Sequence, residues 1–456
     1  MGDSSAVCPP TRARTLVLCF DGTSNEYDAD NTNVVKLFAL LRKDSDEQLV
    51  YYQAGVGTWF EPGVVSPLFE WSAKILDLAF AWYLDAHVTD GYKFLMQNYR
   101  AGDKICIFGF SRGAYTARAL GGLLYKVGLL PRDNEAQVPF AYKMYKRTDE
   151  EGLKLCAGFK QTYCLTVNTE FMGVWETVAS VGVVMGRTLP FTNSNSSIKT
   201  FRHALSLDER RAKFRPNNYH RTAPSAEAAR LDPEHASLGG KWGNADSASS
   251  ISEGDEKTAE LLKKKRWGFF GRGQSVKVKK TVKAIAPVLI EESGDPDDVL
   301  EVWFAGCHSD VGGGAVLNET TECLANISLR WMVREAIASG SGIKWDIPAL
   351  MRAKIDLNPE PSPEEIDLDM TDALEPIHDE LKNNVLWWLL EIIPLHYSWQ
   401  DADGVWHRDW TFNFGRGRKI SDTQPKFHAT VKRRMASPLN YSPKAKWKAG
   451  TEVYVQ

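Results

Sequence analysis

The sequence lacks any pair of cysteines at C-x-x-C spacing, although seven cysteines are present. Neither a zinc site nor a disulfide framework is suggested, and a reducing compartment is the simplest expectation. No apolar run approaches the ~18 residues of a membrane span. The nearest stretch, residues 385–395 (VLWWLLEIIPL), is short and carries Glu391. Its Leu and Trp residues at helical spacing read as a core helix, or as a lid or interfacial face. Residues 1–15 hold no apolar core of a signal peptide, and Ala6 stands where a myristoylation motif needs Ser or Thr. A cytoplasmic location is expected, with peripheral contact at a membrane surface left open. Neither sign of charge dominates: 55 Lys and Arg against 58 Asp and Glu leave a net charge of -3. Nucleic acid is therefore not an expected partner.

What the chain has is material for a large core. Its 456 residues are 43% hydrophobic and include 15 Trp. That length suits two or three domains, or one enlarged α/β domain with insertions. Residues 15–20 (TLVLCF) form an apolar run of β-formers that stops at the turn signal Asp21-Gly22-Thr23. Residues 33–41 have helical spacing, and 49–53 read as a second strand ended by Gly55 and Gly57. Residues 67–99 carry helical periods broken near Asp90-Gly91. A central buried strand is predicted over 104–109 (KICIFG), followed by a helix over 112–127. Residues 165–174 and 300–305 contain further strands, and 320–337 a further helix. Strands alternating with helices predict an α/β fold, a mostly parallel sheet with helices on both faces.

The stretch 221–297 stands apart, rich in Ala, Ser, Gly and Lys with few apolar patterns. It reads as a long low-complexity insertion, largely disordered. Its basic cluster, 263–282, reads as a solvated linker or, with Trp267, Phe269 and Phe270, as a contact for an anionic lipid surface. The insertion separates a first part of the core, 14–220, from a second part, 298–340. Residues 341–456 would follow as a helical or irregular extension and candidate lid.

Chemistry concentrates at three strand ends. A serine hydroxyl is a weak nucleophile that needs a base beside it and an oxyanion hole in front. Gly109-Phe110-Ser111-Arg112-Gly113 lies between the predicted strand and helix. This is the context in which G-x-S-x-G becomes the nucleophile turn of an α/β hydrolase, with Ser111 as nucleophile. His308 is the best candidate base, on a glycine-rich loop just past the strand VWFAG; His428 is the runner-up, and His87 lies upstream of the nucleophile. The acid should fall between nucleophile and base. Glu176, after the run FMGVW, fits, with Asp310 as the alternative. Oxyanion donors are expected at the backbone N–H groups of Gly22 and Arg112. Asp21 has the place of a phosphatase aspartate, but that chemistry needs its nucleophile two residues earlier, where Cys19 stands. A supporting role is open to Asp21, capping its loop, and to Asp310. A metal- or phosphate-binding site built from Asp21, Asp310 and glycines 312–314 is a weaker reading. No metal or other cofactor is expected.

Six motifs occur in order: LCFDGTSN, YYQAGVGT, DGYKFLMQNYRAGDKICIFGFSRGAYTARAL, FMGVWETVASVG, HALSLDERRAKFRPN and VWFAGCHSDVGGG. Together they resemble an α/β-hydrolase family that includes the catalytic domain of type VI secretion phospholipase effectors. The resemblance covers roughly residues 14–220 and 298–340, with weaker echoes in LWWLLEIIPL and the C-terminal region. It implies lipid-ester hydrolysis by a Ser–Asp–His triad, whose nucleophile falls on Ser111 and whose histidine falls on His308. The acid falls on Glu176, in GVWET, where the family usually has GVWDT. The expected partner is a small-molecule or lipid ester. A soluble ester or thioester, and a non-catalytic binding role on the same scaffold, are the alternatives.

Overall fold

The short apolar runs of the sequence become the centre of one parallel sheet. The computed structural model describes residues 13–22, 27–55, 69–178, 195, 197–219, 298–392, 394–400 and 406–456. Its strands are β1 (Thr15–Phe20), β2 (Gln48–Gln53), β3 (Lys104–Phe110), β4 (Thr169–Trp175), β5 (Ile198–Ser206), β6 (Asp298–Phe304), β7 (Leu395–Gln400), β8 (Trp406–Thr411), β9 (Lys426–His428) and β10 (Val453–Val455). Eight of them pair in the order β10-β9-β6-β5-β4-β3-β1-β2, every neighbour parallel. β7 and β8 form a separate antiparallel pair.

Successive side chains of a strand face opposite sides of the sheet, and here both sides are covered. Leu16, Leu18, Ile105, Ile107, Met172 and Val174 pack on one face, with α3 (Arg112–Val127). Val17, Cys19, Cys106, Phe108, Phe171 and Trp175 pack on the other, with α1 (Asn33–Leu40) and the helix Leu324–Ala338. Two-sided burial is why β1 and β3 read as continuous apolar runs rather than alternating ones. Each large side chain so buried stabilises the fold by about 1.5–3 kcal/mol.

Two expectations change. α2 runs unbroken over Phe69–Asn98. Gly91 is a contact point, not a break: a Cβ there would lie 2.7 Å from the ring of Phe20. Residues 341–456 are not wholly helical or irregular, because β9 and β10 extend the sheet beyond β6. The insertion 221–297 with its basic cluster lies outside the described residues, as do Thr23, Ser24, Asn25 and Gly57. No helix among the described residues is long and apolar enough to cross a membrane.

Candidate active site

The carboxyl ends of β3, β4 and β6 bring the three predicted side chains together. Phe110 and Trp175 are register partners at the ends of β3 and β4, so Ser111 and Glu176 leave adjacent strands side by side. The Ser111 N–H donates to Trp175 O at 3.0 Å and the Glu176 N–H to Ala204 O at 2.8 Å. Both residues have left-handed φ, 57° at Ser111 and 49° at Glu176, a strain of about 1–3 kcal/mol each that surrounding structure must hold. The turn at Ser111 depends on its flanking glycines. A Cβ on Gly109 would lie 2.6 Å from Gly113 O, and one on Gly113 only 2.3 Å from the Phe20 and Asp21 carbonyls.

His308 opens a short helix, His308–Gly312, after β6. Its Nε2 lies 2.9 Å from Ser111 Oγ and its Nδ1 2.9 Å from Glu176 Oε2. Because a carboxylate only accepts, Nδ1–H is the donor and Nε2 is left to accept from the serine hydroxyl. All three side chains are buried, Glu176 fully. Phe110 and Phe214 flank the imidazole at ring distances of 4.7 and 4.8 Å. Burial lowers the pKa of His308, opposed by the hydrogen bond and charge of Glu176. Burial alone would raise that of Glu176, but the charge of Arg418, then the hydrogen bonds from His308 and Arg418, bring it well below the usual carboxylate range. The arrangement thus sets a neutral imidazole between a hydroxyl and an ionised carboxylate.

The other candidates lie elsewhere or are otherwise engaged. Asp310 faces His378, whose Nδ1 lies 2.7 Å from Oδ1, and also accepts from the backbone of Cys307 at 2.8 Å. His428 is buried, stacked on Phe304 and capping the helix Ala429–Met435. Burial and the charges of Arg334 and Arg330 push its pKa down to about 3. His87 lies on α2. Asp21 accepts from Thr32 Oγ1 at 2.8 Å and Tyr52 Oη at 2.8 Å. The N–H of Gly22 donates to Asp21 Oδ1 at 2.7 Å, which corrects its expected oxyanion role: that amide is committed to its neighbour's carboxylate. Arg112 is the first residue of α3, where helix amides lack intrahelical acceptors and the dipole is positive. Among the described residues no group of three or more His, Cys, Asp or Glu could hold a metal ion.

Sequence reasoning missed one contribution. Arg418, 242 residues from Glu176 in the chain, makes a two-pronged contact with its carboxylate at 2.7 and 2.8 Å. It sits in the stretch GRGRK, which has no apolar pattern to mark it. The stretch offered above as a core helix or as a lid or interfacial face presents an apolar surface. Trp387 packs edge-on against Phe214, 5.6 Å between ring centres, while Val385, Leu386, Trp388, Leu389, Ile392, Phe412 and Phe414 are exposed, Val385 by 78%. The core-helix reading of 385–395 therefore fails over 385–392; residue 393 lies outside the described residues.

Comparison with known proteins gives this geometry a family. An uncharacterized protein of Saccharomyces cerevisiae is 29% identical over 548 aligned residues, covering 94% of this chain and 80% of that protein. A crystal structure of an uncharacterized protein from Pseudomonas aeruginosa aligns with 83% of this chain and 51% of its own at 17% identity and a TM-score of 0.34; this chain thus spans about half of it. The Tle1 effector, solved bound to the VgrG spike of the type 6 secretion system, aligns with 88% of this chain and 92% of its own at 14% identity and a TM-score of 0.35. The family profile described as "T6SS, Phospholipase effector Tle1-like, catalytic domain" matches residues 14–335, most of the chain and the whole span from β1 to beyond His308, so the chain belongs to the Tle1-like phospholipase effector catalytic-domain family.

Proposed function

We propose that the protein hydrolyses carboxylic esters of lipids, phospholipids among them, through a Ser111–His308–Glu176 triad and an acyl-enzyme. The observation that carries the reading is the unbroken relay of two 2.9 Å contacts from hydroxyl to imidazole to carboxylate. In the first half-reaction Ser111 Oγ attacks the ester carbonyl while His308 Nε2 takes its proton. Glu176 stabilises the imidazolium and keeps the ring in the needed tautomer. The backbone N–H of Arg112, at the positive end of α3, faces the developing oxyanion. Collapse breaks the bond to the alcohol, which leaves with the proton from His308. Water then attacks the acyl-serine with His308 again as base, releasing the fatty acid and restoring Ser111. The exposed apolar chains beside Trp387 support a lipid rather than a soluble ester, since so many large apolar side chains in one surface stretch mark an interaction site.

Mixed phosphatidylcholine–phosphatidylglycerol vesicles and a short-chain nitrophenyl ester test this together. Wild type should release fatty acid from vesicles, and Ser111→Ala should lower the rate by roughly a thousandfold or more, as expected for one member of a triad. Equal rates in wild type and Ser111→Ala would overturn the mechanism. Turnover of the nitrophenyl ester alone would retain the triad and overturn the lipid substrate.

A further inference from the structure

We propose that Arg418 is the positioning residue of this site: its guanidinium fork sets the plane of the Glu176 carboxylate, and through it the aim of His308 at Ser111. The proposal rests on the triad reading above. Arg418 lies beyond residues 14–335, the span of the family match.

Every oxygen of Glu176 is engaged. Oε1 accepts from Arg418 Nη1 at 2.7 Å and from the Ser206 N–H at 2.7 Å; Oε2 accepts from Arg418 Nη2 at 2.8 Å and faces His308 Nδ1 at 2.9 Å. A glutamate carboxylate swings on three rotatable side-chain bonds, so its orientation needs restraint. A planar guanidinium gripping both oxygens supplies it, because the fork fixes orientation as well as distance. Arg418 is itself anchored. Nη1 also donates to Ser206 O at 3.0 Å and Nη2 to Phe214 O at 2.6 Å. Its carbonyl accepts from the Lys446 N–H at 2.7 Å, and the Ile420 N–H donates to Lys446 O at 2.8 Å. Gly417 permits that approach, since a Cβ there would lie 1.8 Å from Lys444 O.

The guanidinium also balances charge. Around the imidazole stand Glu176 after β4, Glu209 and Arg211 after β5, Arg418 from the C-terminal stretch and Asp310 on the helix of His308 itself. Glu209 accepts from the His308 N–H at 3.2 Å but is paired with Arg211 at 2.9 Å, and Asp310 is paired with His378. Glu176 and Arg418 are thus the remaining opposed charges. Removing Arg418 leaves a buried carboxylate whose best partner is an imidazolium, so His308 should hold its proton to higher pH.

The test measures kcat and KM on vesicles against pH, and the His308 imidazole titration by nitrogen NMR, in wild type, Arg418→Met, Arg418→Lys and Ser111→Ala. Arg418→Met should lower kcat roughly tenfold or more with KM little changed, and raise both the acidic limb and the His308 midpoint by about one pH unit. Arg418→Lys keeps the charge without the fork, so kcat should fall while the midpoint stays near wild type. Wild-type kcat and midpoint in Arg418→Met would overturn the proposal, as would equal losses in both variants with unmoved midpoints. Should Arg418→Met fail to fold, an unchanged kcat in Arg418→Lys would overturn it instead. Failure of the triad reading shows separately, as Ser111→Ala active like wild type.

Discussion

Two carboxylate–imidazole pairs meet on the short helix His308–Gly312, Glu176–His308 and Asp310–His378, with contacts of 2.9 and 2.7 Å. In the first, burial dominates and lowers the histidine pKa. In the second, the imidazole is one-third exposed, the hydrogen bond to Asp310 dominates, and the pKa is raised. In a third pair, His203–Glu301, the imidazole is buried and its pKa lowered, but its Nε2 accepts the N–H of Thr177 at 3.1 Å. A carboxylate beside an imidazole therefore does not make a base. What sets His308 apart is burial that keeps the ring neutral together with a serine hydroxyl on the nitrogen left over.

The comparison breaks most sharply by mutation. His308→Ala should cost about a thousandfold or more in kcat on ester substrates, whereas His378→Gln should leave kcat near wild type; equal losses would erase the difference between the two pairs. Glu176→Gln should cost on the order of a hundredfold, since an amide no longer fixes the tautomer or stabilises the imidazolium. Wild-type turnover in that variant would remove Glu176 from the reaction. A smaller effect is the pH limb. The proposed mechanism needs neutral His308, whose pKa burial lowers, so kcat/KM should begin to fall below the ~6.5 of a free imidazole; a limb above that value would contradict the burial argument. The smallest effect is on stability. The His378 pKa is raised by folding, so its contribution is present below the unfolded pKa and lost as pH rises through the folded one. His378→Gln should accordingly lower Tm near about pH 5.5 and change it little near about pH 9.

The centre of the sheet and its strand-end residues were legible because their causes are local. KICIFG followed by Ser between glycines reads as a buried strand turning sharply into a helix, and the helix over 112–127 matches α3 (Arg112–Val127) to the residue. β5 was not legible. It carries Arg202 and His203 in its middle, so no apolar run announces it, and these groups are buried only because partners from other elements pay their desolvation: Asp298 and Glu335 for Arg202, Glu301 for His203. Arg418 was hidden for the same reason. A charged residue in a glycine-rich basic stretch reads as solvated until the fold supplies a buried carboxylate from the far end of the chain. The three-residue strands β9 and β10 are too short to carry a period.

The most direct test of a poised serine is covalent. Labelling with a fluorophosphonate, followed by peptide mass spectrometry, should place the adduct on Ser111 in wild type, with labelling sharply slowed in His308→Ala and unaffected in His378→Gln. Folded wild-type protein that stays unlabelled, or an adduct on any other residue, would contradict the account.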